Sequence, residues 1–159
     1  MRRKIWLALT AAIAAAVAIT IPLASASDSG SVTIVRVDAV GLQEAIVDAT
    51  GGGFPDVGDY VIRSHKLFRN GDRVGTAGTQ VMFVAVSRGN ALTNLTSSVN
   101  LPGGHLTAQG LVRFPAVGNP ESFRLAITGG TGDYQRAHGV MTVSDVGEDV
   151  EHVLFRIIR

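Results

Sequence analysis

Turn residues interrupt this chain so often that no long helix fits between them. Asn70-Gly71, Gly75 to Gly78, Gly89-Asn90, Pro102-Gly103-Gly104, the Pro115 to Pro120 stretch, Gly129-Gly130-Thr131-Gly132 and Gly147 recur about every 10 to 15 residues. The segments between them are β-branched and alternate apolar with polar: Ser31 to Val40, Tyr60 to Phe68, Thr79 to Arg88, Leu92 to Asn100, His105 to Phe114, Ser122 to Thr128, Gly139 to Val146 and Val150 to Ile158. Eight short strands with Gly, Pro and Asn turns predict an all-β antiparallel sandwich or barrel. Leu42 to Asp56 is less regular and reads as a connection carrying a short helix or an irregular strand. In the third strand Val81, Phe83 and Ala85 alternate with Met82, Val84 and Val86, so both faces are apolar. Such a strand expects cover on both sides, from a lumen and from a subunit contact or covering layer.

The first 26 residues have a different fate. Arg2, Arg3 and Lys4 precede an uncharged, mostly apolar run from Ile5 to Ile21, then Pro22 and the small residues Ala24-Ser25-Ala26. This is the layout of a secretory signal peptide cut after Ala26. The expected mature domain is 27–159, and the expected location is outside the cell. That segment holds three of the 14 basic residues and none of the 13 acidic ones. The remaining 133 residues therefore carry net charge −2 and all 19 glycines, about twice ordinary usage. No basic excess points to nucleic acid or, after cleavage, to stable membrane insertion. No cysteine is present, which excludes disulfides, thiolate metal sites and a cysteine nucleophile.

Four segments in register carry a family resemblance: GDYVIRSHKLF (58–68), RVGTAG (73–78), GGHLTAQG (103–110) and LAITGGTGDYQRAHGVM (125–141). Together they resemble the allene oxide cyclase barrel family, and the last is also similar to the related dirigent proteins. The resemblance implies a single eight-stranded antiparallel β-barrel, a trimer, and an apolar small-molecule cavity in the lumen. It implies no cofactor. The glycines of these segments read as turn and corner residues. Gly129 to Gly132 is not followed by a helix, as a phosphate loop would require.

The cyclase residues do not carry over. The family asparagine before "KLY" falls on His65, the cysteine position falls on Gln80, and the first-strand glutamate and asparagine fall near Arg36 and Asp38. These four residues, with His105, are the polar side chains within strands that could line a ligand pocket. If several point inward, they would combine acid, base and cation for proton transfer or carboxylate binding. Four scattered histidines give no zinc spacing, and no G-x-S-x-G elbow occurs. The resulting expectation is a secreted barrel binding an apolar small molecule, with isomerase- or cyclase-like or coupling-steering chemistry left open. The alternative is a non-catalytic oligomeric barrel, whose lumen would be filled by aliphatic side chains.

Overall fold

A computed structural model describes residues 30–159, except 116–117, 145–148 and the side chain of Leu42. The expected signal peptide lies outside the described residues. Eight strands follow one another: β1 Val32–Val47, β2 Tyr60–Arg69, β3 Asp72–Ser87, β4 Asn90–Leu101, β5 Gly104–Pro115, β6 Ser122–Gly130, β7 His138–Ser144 and β8 Val150–Ile158. Each pairs antiparallel with its neighbour in sequence, and β1 pairs with β8, closing the barrel. Closure removes the free sheet edges. This is the barrel that the turn spacing and the resemblance anticipated.

Leu42 to Val47 is no helix; of the two readings, the irregular strand holds here. It continues β1 against β2, beyond a β-bulge between Gly41 and Gln43. One extra residue in a strand exchanges the two faces. Below the bulge Val35, Val37 and Ala39 point into the barrel and are buried. Above it Glu44 and Ile46 take the inner face, opposite Arg63 and Val61. A second bulge, between Phe83 and Ala85, corrects the expectation for β3: Val86 turns inward with Val81 and Phe83, while Ala85 pairs with Leu92 on the outside.

The two ends of the barrel are built differently. At one end two of the three connections are two-residue turns. Asn70 and Gly71 both have positive φ, as a two-residue hairpin turn requires. A 3-10 turn, Gly132–Tyr134, folds across this end. Tyr134 Oη donates to the Pro102 carbonyl at 3.1 Å. Gly104 and Gly132 sit where the two hairpins press together, and a Cβ on either would run into backbone of the other. The floor beneath the lumen is packed by Leu67, Leu101, Leu106, Leu125, Phe155 and Ile157, all nearly inaccessible. At the other end Arg88-Gly89 is again a two-residue turn, and the other three connections are longer. Residues 48–59 form the largest, anchored by Asp59, whose buried carboxylate accepts from Ala49 N at 2.9 Å and Asp56 N at 2.8 Å. This loop carries Phe54 onto Phe83, edge to face with centroids 5.2 Å apart.

Candidate functional site

Strand alternation decides which side chains reach the lumen. On β2 the buried Val61 and Leu67 share their face with Arg63 and His65. On β8 Val153, Phe155 and Ile157 share theirs with Glu151. His65 and Glu151 meet inside the barrel, Nε2 to Oε2 at 4.0 Å, with side chains only 12% and 14% exposed. Burial pushes the His65 pKa below its ordinary value near 6.5, and the Glu151 carboxylate opposes that shift. His65 is therefore a neutral base at neutral pH, next to a carboxylate that would stabilise its protonated form.

One level nearer the open end, the register sets four polar side chains in a row across four strands. Glu44 opposes Arg63, Arg63 opposes Thr79, and Thr79 opposes Ser97. Arg63 Nε donates to Glu44 Oε2. The Thr79 and Ser97 hydroxyls are hydrogen-bonded at 3.2 Å. The rest of the lining is apolar, including Ala77, Leu95, Val99, Phe114, Phe123, Leu125, Met141 and Phe155.

Two adjoining spaces follow. The lumen around His65 and Glu151 is small, about 50 Å³. Above it a vestibule of about 350 Å³ is lined by Ile46, Phe54, Pro55, Phe83, Val86 and Phe114, with Glu44 and Arg63 at its base. Arg63, Val81 and Phe114 border both spaces. The vestibule falls in the size range of small-molecule sites, roughly 300–1,000 Å³. The lumen alone does not. The cavity thus combines an acid–base pair at its bottom, a charged row at its waist and an aromatic mouth.

Of the five residues singled out from the sequence, only His65 lines this cavity. Arg36 and Asp38 lie on the outer wall, because Val35, Val37 and Ala39 occupy the inner face of β1. Asp38 pairs there with His152, Oδ1 to Nδ1 at 2.8 Å. Gln80 is exposed on the outside while its neighbours Thr79 and Val81 line the lumen. His105 is exposed at the floor end, where its backbone bonds to Thr131. The residues that sequence reading missed are Arg63, Glu151, Glu44, Thr79 and Ser97. For Arg63 and Glu151 the signal was present: each stands two residues from apolar inner positions of its own strand. Among the described residues no group of three or more His, Cys, Asp or Glu could hold a metal ion.

The family profile described as allene oxide cyclase barrel-like domain matches residues 38–158. Among curated proteins no match is found. Solved structures share the architecture. A pyocyanin demethylase is 32% identical, with a TM-score of 0.70 over 79% of this chain and 99% of its own. An exo-specific intermolecular Diels-Alderase is 17% identical, with a TM-score of 0.66 over 82% of this chain and 100% of its own. A pterocarpan synthase dirigent protein is 18% identical, with a TM-score of 0.54 over 80% of this chain and 83% of its own. The last two likenesses are likenesses of fold.

Proposed function

The chain belongs to the allene oxide cyclase barrel-like domain family, and we propose that it holds a small, largely apolar molecule in its vestibule and lumen and acts on it by proton transfer. The observation that carries this reading is the His65–Glu151 pair, 4.0 Å apart inside a cavity whose lining, apart from Arg63, Thr79 and Ser97, is otherwise apolar. Buried titratable pairs in a cleft suit general acid–base work. In this reading the apolar body of the substrate fills the vestibule against Phe54, Phe83 and Phe114. Its reacting end enters the lumen, where neutral His65 takes a proton and Glu151 stabilises the imidazolium that results. The same pair can return the proton at another atom, which is an isomerase-like outcome. No cofactor enters this scheme.

The 32% identity to a pyocyanin demethylase favours a substrate of heteroaromatic type, and pyocyanin is the first compound to test. The protein purified from its own host, examined by native mass spectrometry, is expected to carry a co-purifying small molecule. His65→Gln and Glu151→Gln are expected to reduce turnover of any compound so identified by about 100-fold or more. A protein that emerges empty, and takes up neither pyocyanin nor other flat apolar compounds, would leave the non-catalytic barrel as the reading.

Secretion and assembly belong to the same proposal. The 26-residue leader supports export, tested by N-terminal sequencing of the protein from culture medium, which should begin at Ser27. Ile34, Ile62 and Leu111 are exposed on the outer wall, 43%, 47% and 65% respectively, and would be covered in a trimer. Light scattering after size exclusion should return three times the monomer mass; a clean monomer overturns the trimer.

A further inference from the structure

We propose that Arg63, with the hydroxyls of Thr79 and Ser97, is a recognition site for a single oxyanion, so that the ligand is a planar apolar molecule bearing one carboxylate, sulfonate or phenolate-type head. This rests on the reading that the cavity binds a small molecule, and it names the chemical class. Three observations support it. First, Arg63 stands where the vestibule meets the lumen and, among the described residues, is the only lysine or arginine lining either space. Second, its donors are underused. A guanidinium has five N–H donors. Among the described residues Arg63 makes one hydrogen bond, from Nε to Glu44, and neither Nη group has a partner. Glu44 thus fixes the orientation of the fork through Nε. The Nη edge, the edge suited to a bidentate oxyanion, stays available.

Third, the neighbouring side chains on the row supply further donors. Thr79 lies directly across from Arg63, and Ser97 directly across from Thr79. The two hydroxyls share one hydrogen bond at 3.2 Å. One hydroxyl donates that bond, and the other retains an O–H to donate elsewhere. Either hydroxyl can be the donor, and both line the lumen, so the spare O–H faces the cavity in either case. Below the row lie His65 and the apolar lumen. Above it lies the aromatic vestibule. An anion at the row therefore places the uncharged body of the ligand on hydrocarbon, and any proton acquired by His65 offsets the added charge.

Two fluorescent probes separate the contributions. 1-Anilinonaphthalene-8-sulfonate and N-phenyl-1-naphthylamine share one aromatic body and differ by the sulfonate. The protein is expected to bind the sulfonate about tenfold or more tightly than the uncharged probe. Arg63→Met should erase that preference while keeping affinity for the uncharged probe, which also reports that the variant is folded. Thr79→Val should narrow the preference about threefold. Arg113→Met, on the outer wall of β5, should leave it intact. Should Arg63→Met not fold, salt decides: the sulfonate preference of the unmodified protein must shrink with ionic strength, and binding of the uncharged probe must not. Equal affinities for the two probes, or a preference that survives Arg63→Met or high salt, overturns the oxyanion site and leaves the small-molecule reading standing. Binding of neither probe overturns both.

Discussion

The floor and the mouth of this barrel are made from the same eight strands, yet they solve opposite problems. At the floor, tight glycine-bearing hairpins bring the strands together over Leu67, Leu106, Phe155 and Ile157, and almost nothing polar is enclosed. At the mouth, the long 48–59 loop and the bulges of β1 and β3 surround Glu44, Arg63, His65 and Glu151. The difference teaches where the free energy of folding is concentrated. Apolar burial at one end stabilises the closed sheet, which allows the other end to keep charged groups in a half-enclosed space at a cost in desolvation.

That contrast can be broken by experiment. The largest effect is expected at the floor. Phe155→Ala removes a ring that is 1% exposed and should cost about 3–5 kcal/mol in urea unfolding. Phe54→Ala at the mouth, where the ring is 40% exposed, should cost far less in the same assay. Equal losses would mean that the mouth is as structural as the floor. Next comes Asp59→Ala, which leaves two backbone N–H groups without their acceptor and should cost about 1.5–3 kcal/mol. Hydrogen exchange should show the accompanying loosening in residues 48–58 and not at the floor. Tyr134→Phe deletes one hydrogen bond to the Pro102 carbonyl, a loss of about 1 kcal/mol by the same measurement.

The smallest effect is a slope. Burial lowers the His65 pKa in the folded state, so below its ordinary value near 6.5 the unfolded chain binds a proton that the folded chain resists. Stability therefore falls as pH drops from that value through the folded-state pKa, and His65 contributes no such loss above it. His65→Gln should flatten the decline in that window. An unchanged slope would mean that other groups cause it.

The barrel was legible in the sequence because turns are written in local chemistry. Asn70-Gly71 and Gly103-Gly104 announce sharp reversals whatever surrounds them. The site was less legible. Arg36 and Asp38 drew attention as a charged pair on a strand, yet Val35, Val37 and Ala39 already fix that strand's inner face and turn both outward. Glu151 was not singled out at all, although Val153, Phe155 and Ile157 share its phase. Glu44 was beyond reach of any simple alternation, since its position depends on a bulge whose place the sequence does not mark. Long-range register also brings Glu151 to His65, and no local pattern encodes that meeting.

The bulge between Gly41 and Gln43 lets one strand give the barrel an aliphatic lower wall and a charged rim. Were the ladder to run on without it, Leu42 would pair with Ser64 and Gln43 with Arg63, and strict alternation would present Gln43 and Ala45 where Glu44 and Ile46 now stand. Arg63 would then face an amide in place of its carboxylate partner. Leu42 itself is the residue that the ladder skips, so a chain shortened by that one residue would still set Glu44 opposite Arg63 and Ile46 opposite Val61. The charge of the entrance thus depends on which residue is passed over in pairing, and it can survive the loss of the residue that is.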